Sequence, residues 1–332
     1  MTKPKANPLP DLLQGFFQHL IKERQLSPCT VSSYQDTFRL LISFGDSRAP
    51  NGCELRLEDW DAPSILVFLE HLEKQRQCCA RTRNTRLAAI HSFMRYVSRR
   101  QPMFIGLADR VLAIPNKRYH RPLVGFLTSQ EMEALVGAPD PTTLSGQRDR
   151  LLLQLLYNTG ARVSEIVALN RQDVTLGTYR TVALHGKGRK ERLVPLWSKT
   201  AQQLRQWLEP LPSDPLTPVF TNRFGFRLTR FGIQKRLAQA ARTAARVCPS
   251  LRGRKISPHI LRHTTAMHLL QAGVDITAIA LWLGHESPNT THHYIQADLE
   301  MKKKTLKRLQ PPNTKPATFK PRNALLAVLQ SL

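Results

Sequence analysis

A chain of 332 residues is long enough for two domains with a core each, and 41% hydrophobic residues with no low-complexity block exclude a disordered protein. Its 49 Lys and Arg outnumber 24 Asp and Glu for a net charge of +25 spread along the chain, a self-repulsion best relieved by a polyanion, and nucleic acid fits better than a membrane surface. Five cysteines, odd in number and without a C-x-x-C pair, exclude a disulfide framework or zinc ribbon; with no apolar run near the roughly 20 residues of a membrane span, and prolines interrupting MTKPKANPLPDLLQGFF, a soluble protein of the reducing cytoplasm is expected.

From Leu12 to about Arg100 the apolar residues recur at helical spacing: Phe16, Phe17, Leu20 and Ile21, then Tyr34, Phe38, Leu41 and Ile42, then Ile65, Phe68, Leu69 and Leu72. This predicts a bundle of about four helices. Its last helix, TRNTRLAAIHSFMRYVSRR (82–100), sets Arg83, Arg86, Arg95, Arg99 and Arg100 around an apolar stripe of Leu87, Ile90, Phe93, Met94 and Val97. Such a helix either lies against a DNA groove or presents an ordinary solvated face. IPNKRYHRPLVGF (114–126) mixes two prolines with four basic side chains and reads as a linker whose Lys117 and Arg118 can track a phosphate backbone. LTSQEMEALV then offers a Thr or Ser N-cap with Glu131 in the first turn, and QRDRLLLQLLYNTG continues as a buried helix stopped near Gly160, with another helix from Arg162. TYRTVALHGKGRKERLVPL (178–196) alternates as a β-hairpin around a basic, glycine-loosened turn. SPHILRHTTAMHLLQAG is a helix with Ser257 as N-cap, Pro258 in the first turn and Gly273 as C-cap. After the proline-rich tether QPPNTKPATFKP, RNALLAVLQSL places Leu325, Val328, Leu329 and Leu332 on one helical face, and a helix that short must dock on something. The fold class is mainly α with a small β-sheet. Residues 1–113 form a helical domain, 114–126 a basic linker, 127–310 a second domain, and 311–332 the tether and C-terminal helix.

Four separated segments carry the chemistry: TGARVSEIVAL with Arg162 and Glu165, HGKGRKERLVPL with Lys187, HILRH with His259 and Arg262, and LGHESPNTTHHY with His285 and Tyr294. In this order they resemble the tyrosine recombinase (phage integrase) family of site-specific DNA recombinases, in particular its Xer-like and transposon-encoded members. The resemblance covers nearly the whole chain: LSPCTVSSYQDTFRLL is similar to the first half of that family's core-binding domain, and the nine-residue step from His285 to Tyr294 matches the family spacing. Ala161, His292 and His293 depart from the pattern at positions that are not catalytic in the family.

The residue types suit the chemistry the resemblance implies. Charge spreads over the nonbridging oxygens when a phosphodiester is attacked, so permanently charged planar forks such as Arg162 and Arg262 are the useful donors, with His285 adding another hydrogen bond. By resemblance, Tyr294 is the nucleophile that forms a 3′-phosphotyrosine, Lys187 on its flexible turn the general acid for the 5′-oxygen, His259 the base, and Glu165 the residue that orients Arg162 or a neighbouring histidine. No cofactor, metal or ATP is implied. The resemblance also implies a two-domain clamp, an N-terminal core-binding domain plus a catalytic domain, closing on double-stranded DNA. Four protomers, of one kind or with partner recombinases, would then exchange strands, and the C-terminal helix would pack on the neighbouring protomer or on its own domain. DNA-binding candidates are Arg83, Arg86, Arg95, Lys117 and Arg118. The expected setting is integration, excision or transposition of a mobile element; chromosome or plasmid dimer resolution, and a catalytically silent accessory protein, are the alternatives. A metal-hydrolase reading starts from His259 and His263 at i,i+4, but Ile260 and Leu261 stand where a zinc protease carries its glutamate. His263 and His268 are expected to pack within the helix or to brace the site from behind.

Overall fold

The computed structural model describes residues 8–48, 55–119, 125–186 and 191–284. Lys187, His285, Tyr294, part of the 114–126 linker and the whole 311–332 segment lie outside the described residues. The chain divides into two compact units between residues 122 and 123.

In the first unit, α1 (Leu9–Gln18) runs on through a wider π turn (His19–Glu23) and is followed by α2 (Pro28–Asp46), α3 (Ala62–Lys74), α4 (Ala80–Arg100) and α5 (Ile105–Leu112). The starts are set by capping: the Ser27 hydroxyl accepts the Thr30 N–H at 3.3 Å ahead of Pro28, and the Asp61 carboxylate accepts the Ser64 N–H at 2.9 Å. The predicted stripe of α4, Leu87, Ile90, Phe93, Met94 and Val97, is fully buried. Phe93 is its centre, with edge-to-face contacts to Phe16 and Phe38 at 5.3 Å and to Trp60 at 5.7 Å. A fifth helix, α5, follows the four that periodicity suggests and buries Ala108 and Val111. Its eight residues are too short to establish a period of their own.

The second unit opens with α6 (Ser129–Gly137), whose Thr128 hydroxyl and Glu131 carboxylate cap each other's main-chain N–H groups at 3.2 and 2.9 Å. Then come α7 (Leu144–Thr159), α8 (Val163–Ala168), strands β1 (Val174–Leu176), β2 (Arg180–His185) and β3 (Glu191–Pro195), and helices α9 (Ser198–Leu208), α10 (Arg230–Val247), α11 (Pro258–Gln271) and α12 (Ile276–Leu283). The strands form an antiparallel meander in sequence order, with Val174 opposite Val182 and His185 opposite Glu191. The hairpin stands where alternation places it; β1, at three residues, is an addition too short to alternate visibly. The core gathers Leu152 and Leu156 of α7, Val182 and Leu184 of β2, Leu237 of α10 and Leu261 of α11. A smaller cluster of Ala266, Met267, Leu270, Ile279 and Leu283 fastens α12 onto α11. Among the described residues no helix is long and apolar enough to cross a membrane.

Candidate active site

Two glycines build the frame. Gly160 ends α7 in the left-handed region at φ +58°, which favours glycine, and a Cβ there would push against the Leu283 side chain. Gly284 ends α12 at φ +64°, where a Cβ would stand 3.0 Å from an Nη of Arg192. These two turns bring the end of α7 and the end of α12 together, and arginines fasten them.

Arg162 sits at the N-cap of α8 because the Glu165 carboxylate accepts its main-chain N–H at 2.8 Å. Its guanidinium donates one bond to the same carboxylate at 2.9 Å and another to the Gly284 carbonyl at 3.1 Å, while the side chain keeps 34% of its surface exposed. Arg262, one turn into α11, is buried and donates to the Gly160 carbonyl and the Leu283 carbonyl, both at 2.7 Å. Two guanidiniums from different helices therefore take successive carbonyls at the same helix end, where the unpaired C=O groups and the negative end of the helix dipole favour cations. The Glu165 side chain is 1% exposed, and Arg192 of β3 grips both of its oxygens at 2.9 and 2.7 Å. Burial alone would raise the Glu165 carboxyl; the hydrogen bonds and charge of Arg192, with those of Arg162, outweigh it and hold the group below the ordinary carboxylate range.

His259, the second residue of α11, is exposed at the mouth of the helix, with Arg262 one turn on. His263 is buried beside Phe126, ring centroids 6.4 Å apart, which sets it apart from the exposed His259. His268 packs as expected. Its Nδ1 accepts the Tyr157 hydroxyl at 2.7 Å while Nε2–H donates to the Leu127 carbonyl at 2.9 Å, and burial lowers its pKa. The β2–β3 hairpin is closed at its turn end by His185, bonded to Asp173 at 3.1 Å and to Glu191 at 2.9 Å; the Asp173 hydrogen bond foremost raises its pKa.

Residues 125–301 match the Phage integrase family, and residues 13–101 match the phage integrase N-terminal SAM-like domain. The chain belongs to the phage integrase family. It is a tyrosine-type site-specific recombinase, an enzyme that cleaves and rejoins DNA. A Sinorhizobium fredii protein that carries the name integrase/recombinase is 45% identical across 100% of both chains. Tyrosine recombinase XerC of Chlamydia caviae is 35% identical over 90% of this chain and 97% of its own. The crystal structure of a XerH site-specific recombinase bound to a palindromic difH substrate, 23% identical over 86% of this chain and 81% of that one, shares the fold at a TM-score of 0.66.

In the recombinase's first unit the DNA-binding candidates divide. Arg95, Lys117 and Arg118 are exposed, though Lys117 also pairs with Glu73 at 2.7 Å. Arg86 is half-buried and holds α2 through the Ser33 carbonyl and Thr37 hydroxyl, both at 3.0 Å. Arg83 is 4% exposed and donates to the Pro115 carbonyl at 3.0 Å, so it braces the end of this unit and presents no surface for a phosphate. Its place next to the buried stripe, which helical spacing alone leaves ambiguous, turns it inward. Arg192 is a site residue that the motifs do not single out. Its signal is the order Arg-Leu-Val in β3: alternation puts Arg192 on the inner face with Val194 and leaves Leu193 71% exposed, the reverse of what polarity favours.

Proposed function

We propose that this recombinase cuts and rejoins DNA through a 3′-phosphotyrosine on Tyr294, without metal or ATP, in the integration, excision or transposition of a mobile element. The observation that carries this reading is the pair of guanidiniums, Arg162 and Arg262, oriented by successive main-chain carbonyls at the end of α12, immediately before His285 in the sequence. Donors fixed in advance need no reorganisation when charge develops on the nonbridging oxygens. Arg162 keeps exposed surface for that purpose. In this reading His285 adds a donor, Lys187 protonates the leaving 5′-oxygen, His259 takes the tyrosine proton, and Glu165 orients Arg162. Covalent attachment conserves the phosphodiester bond energy, so the released 5′-hydroxyl can reverse the step. DNA is double-stranded, the assembly is a tetramer built on it, and the exposed basic residues of the first unit serve the backbone. The full-length similarity to an integrase/recombinase supports a mobile element. The similarity to tyrosine recombinase XerC supports dimer resolution as a second reading.

The test is a suicide substrate that traps the covalent adduct. Tyr294→Phe should abolish the adduct while half-site affinity stays within a few fold, and the wild-type adduct should form in excess EDTA. An adduct with the Phe variant overturns the nucleophile, and loss to chelator restored by a divalent ion overturns metal independence. Recombination of substrates carrying the inverted repeats that flank the gene, set against a chromosomal dimer-resolution site, separates the two biological settings.

A further inference from the structure

Arg192 lies outside the set of residues that the reaction calls for, yet it bonds both the Glu165 carboxylate and the end of α12. Its Nε donates to the Trp282 carbonyl at 3.0 Å, and its two Nη atoms take the two oxygens of Glu165 at 2.9 and 2.7 Å. Trp282, Leu283 and Gly284 thus hand their three successive carbonyls to Arg192, Arg262 and Arg162, from β3, α11 and the head of α8 respectively. Arg192 closes this clamp with a side chain only 12% exposed, pressed against Gly284 closely enough that a Cβ there would crowd its Nη and Cδ. It also stands one residue beyond Glu191, the partner of His185 at the turn end of the hairpin.

We propose that Arg192 is a positioning residue that sets the orientation of Arg162 by sharing the charge of Glu165. The Glu165 side chain is 1% exposed and carries one negative charge between two guanidiniums. With Arg192 holding both oxygens, Arg162 contributes a single side-chain bond to Oε1 and turns its other edge to Gly284 and solvent. Without Arg192 the buried carboxylate has Arg162 as its remaining counter-charge. The Arg162 fork then rotates to take both oxygens, because a buried unpaired carboxylate is far costlier than a lost carbonyl bond. That rotation turns its donors away from the direction in which they are useful. Only arginine can do this work: a lysine ammonium cannot span two carboxylate oxygens and a carbonyl at fixed angles. Arg192 acts entirely through Glu165 and Trp282.

The inference rests on the proposed role of Arg162, so the experiment includes wild type and Tyr294→Phe beside the new variants. Single-turnover adduct formation and half-site affinity are measured for full-length Arg192→Met, Arg192→Lys and the double variant Arg192→Met with Glu165→Gln, below the lowest melting temperature of the set. A displaced guanidinium should cost Arg192→Met about 100-fold in adduct formation, with affinity within about three-fold. Neutralising Glu165 frees Arg162 from capture, so the double variant should regain about ten-fold over the single one. A residue that only packs would give the opposite result, the double variant being no faster than the single, and that outcome overturns the proposal. Should Arg192→Met not fold, Arg192→Lys decides: adduct formation slowed about ten-fold at unchanged affinity supports positioning, and wild-type speed overturns it. An adduct surviving Tyr294→Phe would instead condemn the nucleophile assignment, whatever the Arg192 variants do.

Discussion

The difference in exposure between the two site arginines, 34% of the side chain for Arg162 and 6% of the residue for Arg262, separates two costs that mutation usually confounds. Arg262 bridges the Gly160 and Leu283 carbonyls from a buried position, and a lysine there can satisfy one of them at most. Arg262→Lys should therefore lose about 1–3 kcal/mol of stability, the usual penalty for a buried polar group left without its partner, together with most of its adduct formation. Arg162→Lys should lose comparable activity with a smaller change in stability, since its carbonyl bond lies nearer solvent. Denaturant midpoints beside single-turnover rates check both, and equal stability losses would show that exposure is not the deciding variable. Glu165 adds a pH signature. Its pKa is held below the ordinary value in the folded protein, so its contribution to stability is complete above the unfolded carboxylate pKa near 4.3, and is lost as pH falls through the lower folded value. Glu131 behaves alike: burial would raise it, but Ser250, the Thr128 N–H and Arg254 hold it down. Melting temperature should fall on acidification below about pH 4, and Glu165→Gln should make that fall shallower while lowering the plateau at neutral pH.

At the level of elements, the turn end of the hairpin is tied to Asp173, just ahead of β1, by His185, which also bonds Glu191 across the hairpin. Because the folded pKa of His185 is raised, its stabilising contribution is fully present below the unfolded value near 6.5, and disappears as pH rises through the folded value. The side chain is 44% exposed, so solvent screens the pair, and the effect belongs to local opening more than to global stability. Amide exchange of Val182 and Leu184, corrected for intrinsic rates, should show reduced protection on the alkaline side of that window. His185→Gln should flatten the dependence, and a dependence unchanged in that variant would place the titrating group elsewhere. This hairpin also shows what the sequence can and cannot disclose. The strand alternation of TYRTVALHGKGRKERLVPL is local and readable, as are the Ser257 cap and the Gly160 stop. The three-arginine clamp on α12 is not, because it depends on β3, α8 and α11 converging on three carbonyls, and main-chain carbonyls leave no residue-specific trace. Arg83 shows the same limit in the first unit: helical spacing puts it beside the buried stripe, and only the Pro115 carbonyl, 32 residues on, decides that it faces inward.

For the whole molecule, most of the net charge of +25 lies outside the cluster of Arg162, Arg192, Arg262 and Glu165. Arg162, Arg192 and Arg262 carry three positive charges against the one negative charge of Glu165, an excess of two, and all three are held in place by that carboxylate or by helix-end carbonyls. The rest of the excess of 49 basic over 24 acidic residues is carried by surfaces such as those of Arg95 and Arg118, which are exposed. Two expectations follow from that separation. Substitutions inside the site should change adduct formation much more than affinity, whereas affinity should answer to ionic strength through the many phosphates neutralised by surface groups. If about 6 to 10 phosphates are neutralised, half-site affinity should fall by roughly 10³ to 10⁵ between 50 and 200 mM salt. Removing a surface cation that pairs with phosphate, as in Arg95→Ala or Arg118→Ala, should reduce the slope of log affinity against log salt by about 0.9 for each phosphate no longer neutralised. Arg83→Met should leave the slope unchanged, because that guanidinium is bonded inside its own unit. Filter binding across a salt series measures all four proteins together. A flat response in the wild type would mean that the net charge of +25 serves something other than the DNA backbone, and a reduced slope in Arg83→Met would mean that its bond to Pro115 is released on the DNA.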